Sequence, residues 1–458
     1  MTSTVSPLQA PHGLGPGAAA DAAVAAILDA TVRPSPRAPR GVVVDSPPGA
    51  GKSTLVVKAA RELVGAGERL MIVAQTNSQV DDLVDRLAAK APDLGIGRLH
   101  SSDARPAPQA LRHPNVTASS KAADLLEQDV VISTAAKWQW VKDVDPWRHA
   151  IVDEAYQMRS DALLAVARLF ERALFVGDPG QLDPFTVVGT EQWAGLSYDP
   201  SSSAVVTLLA HNPAIVPHRL PVSWRLPASA APLISAAFYP YTPFRSGTGP
   251  GDRLLIPRGR PDGSALDAAI DEAAEHGWAL LELPARHTVR TDPQAVAAVA
   301  AVVCRLLERG LDTRSEQGGS PLTPDRIAVG TAHRDQAAAV RAALAALGIP
   351  VDTTAGPAVT VDTANRLQGR EYDVTVVLHP LSGRPDATAF HLETGRLCVL
   401  ASRHRHACIV VARAGIAALL DEHPSTEPVQ LGVTVKFPDG WEANHAVLQH
   451  LGEHRVRL

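Results

Sequence analysis

Short runs of β-branched and other apolar residues, bounded by Gly, Pro, Asp or Ser, recur along the chain and alternate with stretches of helical spacing. In the first half the pattern predicts strands at Val42–Val44, Leu70–Ala74, Asp129–Ser133 and Ala173–Val176, and another running from His149 to an Asp-Glu pair. Helices are expected over Ala19–Ala30, after the first strand in LVVKAARELV, and from about Ser78 through Leu87. The second half repeats the alternation, with strands at Trp278–Leu283, Ile327–Thr331, Val359–Asp362, Val374–Leu378 and Cys408–Ala412. Its helices are expected in ASAAPLISAAFY, over Ala295–Arg309, up to Leu347 and over Gly395–Ser402. The segments 91–120, 241–266 and 312–325 are rich in Pro, Gly and polar residues and read as loops, residues 1–18 as a flexible terminus. A hairpin around Pro438-Asp439-Gly440 and a closing helix are expected at the end. Strands alternating with helices in both halves imply an α/β protein with two open parallel sheets.

One junction carries specific chemistry. Gly41–Thr54, GVVVDSPPGAGKST, is a strand, a Pro/Gly-rich turn and a helix start. In that order, Pro48, Gly49, Ala50, Gly51, Lys52, Ser53 and Thr54 form a phosphate-binding loop: backbone N–H groups cradle phosphate oxygens, Lys52 reaches the β- and γ-phosphates, and Ser53 ligates Mg²⁺. Ser46 stands where the full motif has its first Gly. Downstream, the strand HAIVDEA ends in two acids, and such a pair suits Asp153 as metal holder and Glu154 as the group that polarises the attacking water. In GDPGQL, Gln181 is placed to sense a γ-phosphate. ATP and Mg²⁺ are thus the expected cofactors.

Composition narrows the partners. The chain has 458 residues with formal net charge −5 and 45% hydrophobic content, so binding to nucleic acid would need a local basic groove rather than a global field. No apolar run reaches membrane-spanning length, the N-terminus lacks a signal-like h-region, and a cytoplasmic location is expected. Three cysteines in apolar contexts read as reduced core residues. His404, His406 and Cys408 have ligand chemistry but no fourth ligand nearby, so zinc is not expected there.

Taken in order, SPPGAGKST, VAQTNSQ, VISTAAK, IVDEA, GDPGQL, SWRLP, VGTAHRDQ, VDTANRLQGREYD and VLASRHRHA span residues 46 to 407. The series resembles superfamily 1 helicases, closest in style to the 1B group that includes RNA-decay and replication helicase-nucleases. The resemblance implies two RecA-like domains, over 19–200 and 215–458, that hydrolyse ATP at their interface and step along single-stranded DNA or RNA. It further implies that Trp224 stacks on the base, that Arg225 and Arg403 act as arginine fingers with Arg405 as a helper, and that Gly369 and Glu371 meet the phosphate end and the ribose. For the strand track it points to Thr76, Asn77, Ser133, Thr134, Arg334 and Thr363, groups suited to phosphate contact. Gln75–Ser78 reads equally as an N-cap cluster. Lys137 beside Trp138 and Trp140 suits base stacking, although such indoles are as often core residues. The glutamine that reads adenine in the family has no counterpart near Ala20, and the short 91–129 segment leaves little room for duplex-separating domains. The expectation is a compact motor with weak unwinding alone, served by a protein partner that supplies unwinding or nuclease function; an ATP-controlled clamp that binds a protein without stepping is the competing reading.

Overall fold

The computed structural model describes residues 14–182, 184, 193, 199–353, 355–424 and 439–458. Of the terminus expected to be flexible over residues 1–18, residues 1–13 lie outside them, as does most of the expected C-terminal hairpin, whereas Pro16, Gly17 and Ala18 begin the helix Pro16–Val32. Two compact units divide the chain between Pro179 and Gly180 and again between Pro221 and Val222, with Gly180–Leu182 counted in the second.

The first unit is built on eight strands: β1 (Gly41–Asp45), β2 (Leu70–Ala74), β3 (Ile96–Leu99), β4 (Val116–Ser119), β5 (Val130–Thr134), β6 (Trp147–Asp153), β7 (Phe170–Gly177) and β8 (His218–Arg219). They form one sheet in the order β4-β3-β5-β2-β6-β7-β1-β8, and every pairing is parallel. Its central strands are buried on both faces, which is why β2 reads as an uninterrupted apolar run rather than an alternating one. Segment 91–120, expected as a loop, contains β3 and β4. Both are four residues long, and Gly97 and Arg98 break the apolar run of β3. The pairing of β8 with β1 also keeps His218 and Arg219 in the first unit.

The second unit contains β9 (Val222–Ser223), β10 (Arg245–Ser246), β11 (Leu254–Pro257), β12 (Trp278–Leu283), β13 (Leu311–Ser315), β14 (Gly318–Pro321), β15 (Ile327–Thr331), β16 (Thr360–Thr363), β17 (Tyr372–Leu378), β18 (His404–Arg413) and β19 (Arg455–Arg457). Six of these make a parallel sheet in the order β16-β15-β17-β18-β12-β19. Strands β11, β13 and β14 form a small antiparallel sheet in segments expected as loops; the polar β13 and the Gly- and Pro-containing β14 become strands because each partner supplies the ladder bonds. Among the described residues, no helix is long and apolar enough to cross a membrane.

A buried ion cluster braces the second unit. Asp267, almost fully buried, accepts from Arg305 at 2.7 and 2.9 Å and from Arg309 Nη1 at 3.3 Å. Hydrogen bonds from Arg305 lead the causes that hold its carboxyl well below the ordinary aspartate range, against a smaller opposing push from burial. Its stabilising contribution is therefore complete at neutral pH and is lost as pH falls below the unfolded value of about 4. Replacing Asp267 by Asn is expected to destabilise the unit by about 3 kcal/mol, because Arg309 stays buried with one counter-charge fewer. Denaturant unfolding at neutral pH measures this, and a loss under about 0.5 kcal/mol, the level of an ordinary surface change, would refute it.

Candidate active site

The site in the first unit is assembled at the carboxyl ends of β1, β7 and β6, where parallel α/β sheets bind ligands. Register brings Asp45 opposite Gly177 and Val176 opposite Asp153, so the exits of all three strands lie at one level. The loop after β1 turns through Gly49 and Gly51, both with positive φ (72° and 89°), into the helix Lys52–Gly65. A side chain at either glycine would be strained there. Ser46, by contrast, has no positive φ; its N–H donates to Gly177 O at 2.8 Å. The departure from glycine at the first motif position therefore costs the backbone nothing.

Lys52 begins the helix and points at the two acids. Its Nζ donates to the Glu154 carboxylate and lies 3.8 Å from Asp153 Oδ1. Burial pulls the ammonium down, but Glu154 and Asp153 outweigh it and leave Lys52 raised above its ordinary value. Asp153 is also raised, chiefly by burial, with Glu154 adding to the rise and Lys52 opposing it. Glu154 occupies the left-handed region at φ 51°, a strained conformation for a non-glycine residue that turns its carboxylate off the end of β6. Gln157 Nε2 donates to Glu154 Oε2 at 3.2 Å, and Gln75 Nε2 donates to the Asp153 carbonyl at 3.3 Å.

The donor set fits a Mg²⁺–triphosphate. Asp153 Oδ1 is buried with no hydrogen-bond partner among the described residues, and Ser53 Oγ, at the helix start, accepts from Arg86 Nη1 at 3.1 Å. A hydroxyl and a carboxylate oxygen are the hard ligands that Mg²⁺ takes in such sites. Sequence reasoning missed Arg86, one of two exposed cations on the helix Asn77–Lys90, because only folding carries it to Ser53. It also missed Tyr156, whose hydroxyl donates to Asp45 across Gly177. A Cβ on Gly177 would lie 2.9 Å from the Tyr156 ring and 3.1 Å from Ala155 N, so the first glycine of GDPGQL is a close-approach residue.

Other expected residues fall into three groups. Thr76 caps its helix in a capping box with Gln79, which is the local reading of Gln75–Ser78, and Asn77 Oδ1 accepts from Arg98. Thr134 caps the next short helix through Lys137 N and is paired in register with Ala74, so the β2 and β5 exits are adjacent. Ser133 is fully buried and its hydroxyl donates to Leu99 O at 2.7 Å, which withdraws it from any surface contact. Trp138 is core: its indole N–H donates to Ile72 O at 3.0 Å and its ring meets Trp147 edge-on. Trp140, two residues on, is 71% exposed.

In the second unit, Gln181 accepts from Gln368 Nε2 at 2.5 Å, a partner 187 positions away. Arg225 Nε donates to Glu371 Oε2 at 3.0 Å, and Arg405 Nη1 lies 3.5 Å from the other oxygen, so the residue expected at the ribose instead holds two arginines. Burial alone would raise Glu371; Arg225 and Arg405 keep it below its ordinary value. Trp224 is exposed and lies against Gly247, where a Cβ would come within 2.4 Å of the ring. Gly369 has φ 79°. Arg403 is fully buried, and its guanidinium donates to Val399 O and Ser402 Oγ at its own helix end. Thr363 ends β16 and sits in register with Thr331 at the end of β15, after which comes the exposed Arg334. Beside that exit the His333 ring stacks on the half-exposed Phe390 at 4.8 Å, and the Arg396 guanidinium lies 3.7 Å from the Phe390 centroid. That aromatic group went unread because its parts are 57 and 63 positions apart.

Two family profiles, each described as an AAA domain, match residues 35–191 and 284–415. No curated protein matches. Among solved structures the chain is similar to the helicase of PRRSV at 17% identity, covering 86% of this chain and 54% of that one with TM-score 0.40. It is also similar to arterivirus nonstructural protein 10, a helicase, at 14% identity, covering 85% and 61% with TM-score 0.41. A complex of that helicase with DNA gives 15% identity, 87% and 65% coverage and TM-score 0.41. The chain thus spans between about half and two thirds of these proteins' lengths.

Proposed function

We infer that this chain is a helicase-type P-loop ATPase of the superfamily 1 kind, which hydrolyses ATP to move along or remodel single-stranded nucleic acid. The observation that carries this is the convergence of Lys52, Asp153 and Glu154 beside the loop that ends at Ser53. On this reading Lys52 leaves Glu154 for the triphosphate when nucleotide binds, and the freed Glu154 carboxylate takes the proton of the attacking water. Gly49 and Gly51 let the backbone amides approach phosphate. Bound Mg²⁺ would supply charge neutralisation of the β- and γ-phosphates, with Ser53 and Asp153 as its protein ligands.

The strand track is read at the carboxyl ends of each sheet taken separately. Thr76, Asn77, Thr134 and Lys137 line the β2 and β5 exits of the first unit, with Trp140 exposed nearby. Arg334 and Thr363 line the β15 and β16 exits of the second, beside the Phe390 ring held between His333 and Arg396. These groups are hydroxyl, amide, cation and ring, which contact backbone and base faces without reading sequence. A protein partner that supplies unwinding or nuclease function belongs to the same reading.

The test is steady-state phosphate release with and without single-stranded DNA and RNA, with Lys52→Ala as the blank. Stimulation of about tenfold or more by one of the strands is expected. Hydrolysis that ignores both would favour an ATP-controlled protein clamp and overturn the motor.

A further inference from the structure

The second unit carries a histidine-rich cluster that the ATPase site does not use. Glu272 and His276 stand one turn apart on the helix Ala265–His276, and His450 and His454 stand one turn apart at the end of the helix Gly440–Glu453. Residues spaced by four present one face of a helix, so each helix offers a pair of donors. The sheet fixes how the pairs meet. Gly277 ends the first helix with φ 78° and leads directly into β12. The second helix leads into β19, which pairs in parallel with β12, Leu280 opposite Arg455, and Leu280 N donates to His454 O at 2.8 Å.

His454 Nδ1 lies 2.8 Å from Glu272 Oε1, and His276 Nε2 lies 3.6 Å from the same oxygen. One ligand atom from each of Glu272, His276 and His454 falls within 4.8 Å of the others. Donors around a tetrahedral Zn²⁺ at about 2.0–2.1 Å stand about 3.3 Å apart, which these separations bracket. His450 adjoins the group, its ring 4.9 Å from that of His454, and its Nε2 is buried with no hydrogen-bond partner among the described residues. His276 is the last residue of its helix and His454 the C-cap of the other, so two helix C-termini place partial negative charge at the cluster.

We propose that Glu272, His276 and His454, with His450 in reserve as a fourth donor, bind a borderline divalent transition-metal ion of the Zn²⁺ class. Two imidazoles and one carboxylate suit such an ion and not Mg²⁺, which takes oxygen ligands. The ion would staple the C-terminal helix and β19 to the helix that precedes β12, a structural role separate from ATP hydrolysis. A hydrogen-bonded Glu272–His454 strap with no metal is the competing reading.

The experiment uses the full chain stripped with a chelator and titrated calorimetrically with Zn²⁺, with Mg²⁺ as control, and melted with and without Zn²⁺. One Zn²⁺ per chain with a raised melting temperature is expected, reversed by the chelator and not reproduced by Mg²⁺. His276→Ala and Glu272→Gln should each weaken Zn²⁺ binding by at least about tenfold and abolish the shift in melting temperature. His276 is 42% exposed in its side chain, so its variant should melt like the parent in the absence of Zn²⁺. No Zn²⁺ binding by the parent, or equal binding by both variants, overturns the proposal whatever the ATPase assay shows.

Discussion

Glu154→Gln is expected to lower kcat for ATP hydrolysis about 10³-fold while nucleotide binding persists. The amide keeps the size of the carboxylate and an oxygen to accept from Lys52, so the loop is not disturbed. It cannot take a proton from water, and general-base catalysis of this kind contributes about 10²–10⁴-fold. A 10³-fold loss corresponds to about 4 kcal/mol of barrier. The strained φ of 51° at this position fits a functional role, because such backbone is kept only where the surrounding structure over-determines it. Here that structure is β6 on one side and the turn through Tyr156, which donates to Asp45, on the other. The measurement is single-turnover hydrolysis beside equilibrium binding of a fluorescent ATP analogue. Turnover within a few-fold of the parent would remove Glu154 from the chemistry. Lys52→Ala should differ in kind, since binding itself would fall.

Arg225→Ala is expected to cost a comparable factor, about 10³, again with nucleotide binding largely kept. Cationic donors at the transferred phosphoryl group are worth about 10³–10⁵, and Arg225 is the more accessible of the two expected fingers. It is held by an ion pair to Glu371, a bond that a phosphate can compete for, whereas Arg403 is wholly buried and bonded to its own helix end. Arg225→Lys should not restore turnover, because a point charge cannot reproduce a planar fork of donors. The Glu371 carboxyl is held below its ordinary value, so its pairing with Arg225 is intact at neutral pH and loosens only as pH falls through that lowered folded value, beneath the ordinary glutamate range. The Arg225→Ala defect should therefore be the same across the neutral range. A kcat unchanged in Arg225→Ala would sink the assignment.

The phosphate loop, the acid pair and the alternation that makes both parallel sheets were all readable along the chain, because each depends on residues close in sequence. A strand buried on both faces must be apolar throughout, a helix must carry its 3.6-residue spacing, and a turn that approaches phosphate needs its glycines. The same locality explains where the reading fell short. Strands β3, β4, β13 and β14 are short and polar, and only their neighbours in the sheets make them strands. Ser133 and Trp138 stand in the same segment as the exposed Trp140, but their own positions in and after β5 turn them inward to Leu99 and Ile72.

What the sequence alone determined, then, is the α/β class of the fold and the local loop and strand end that carry Lys52, Ser53, Asp153 and Glu154. The tertiary structure decided which of the remaining candidates are available. It paired Arg225 with Glu371 across 146 positions, brought Arg86 to Ser53 across 33, and set Glu272 beside His454 across 182. Such contacts depend on strand order and register, and a pattern of local spacing carries no information about either.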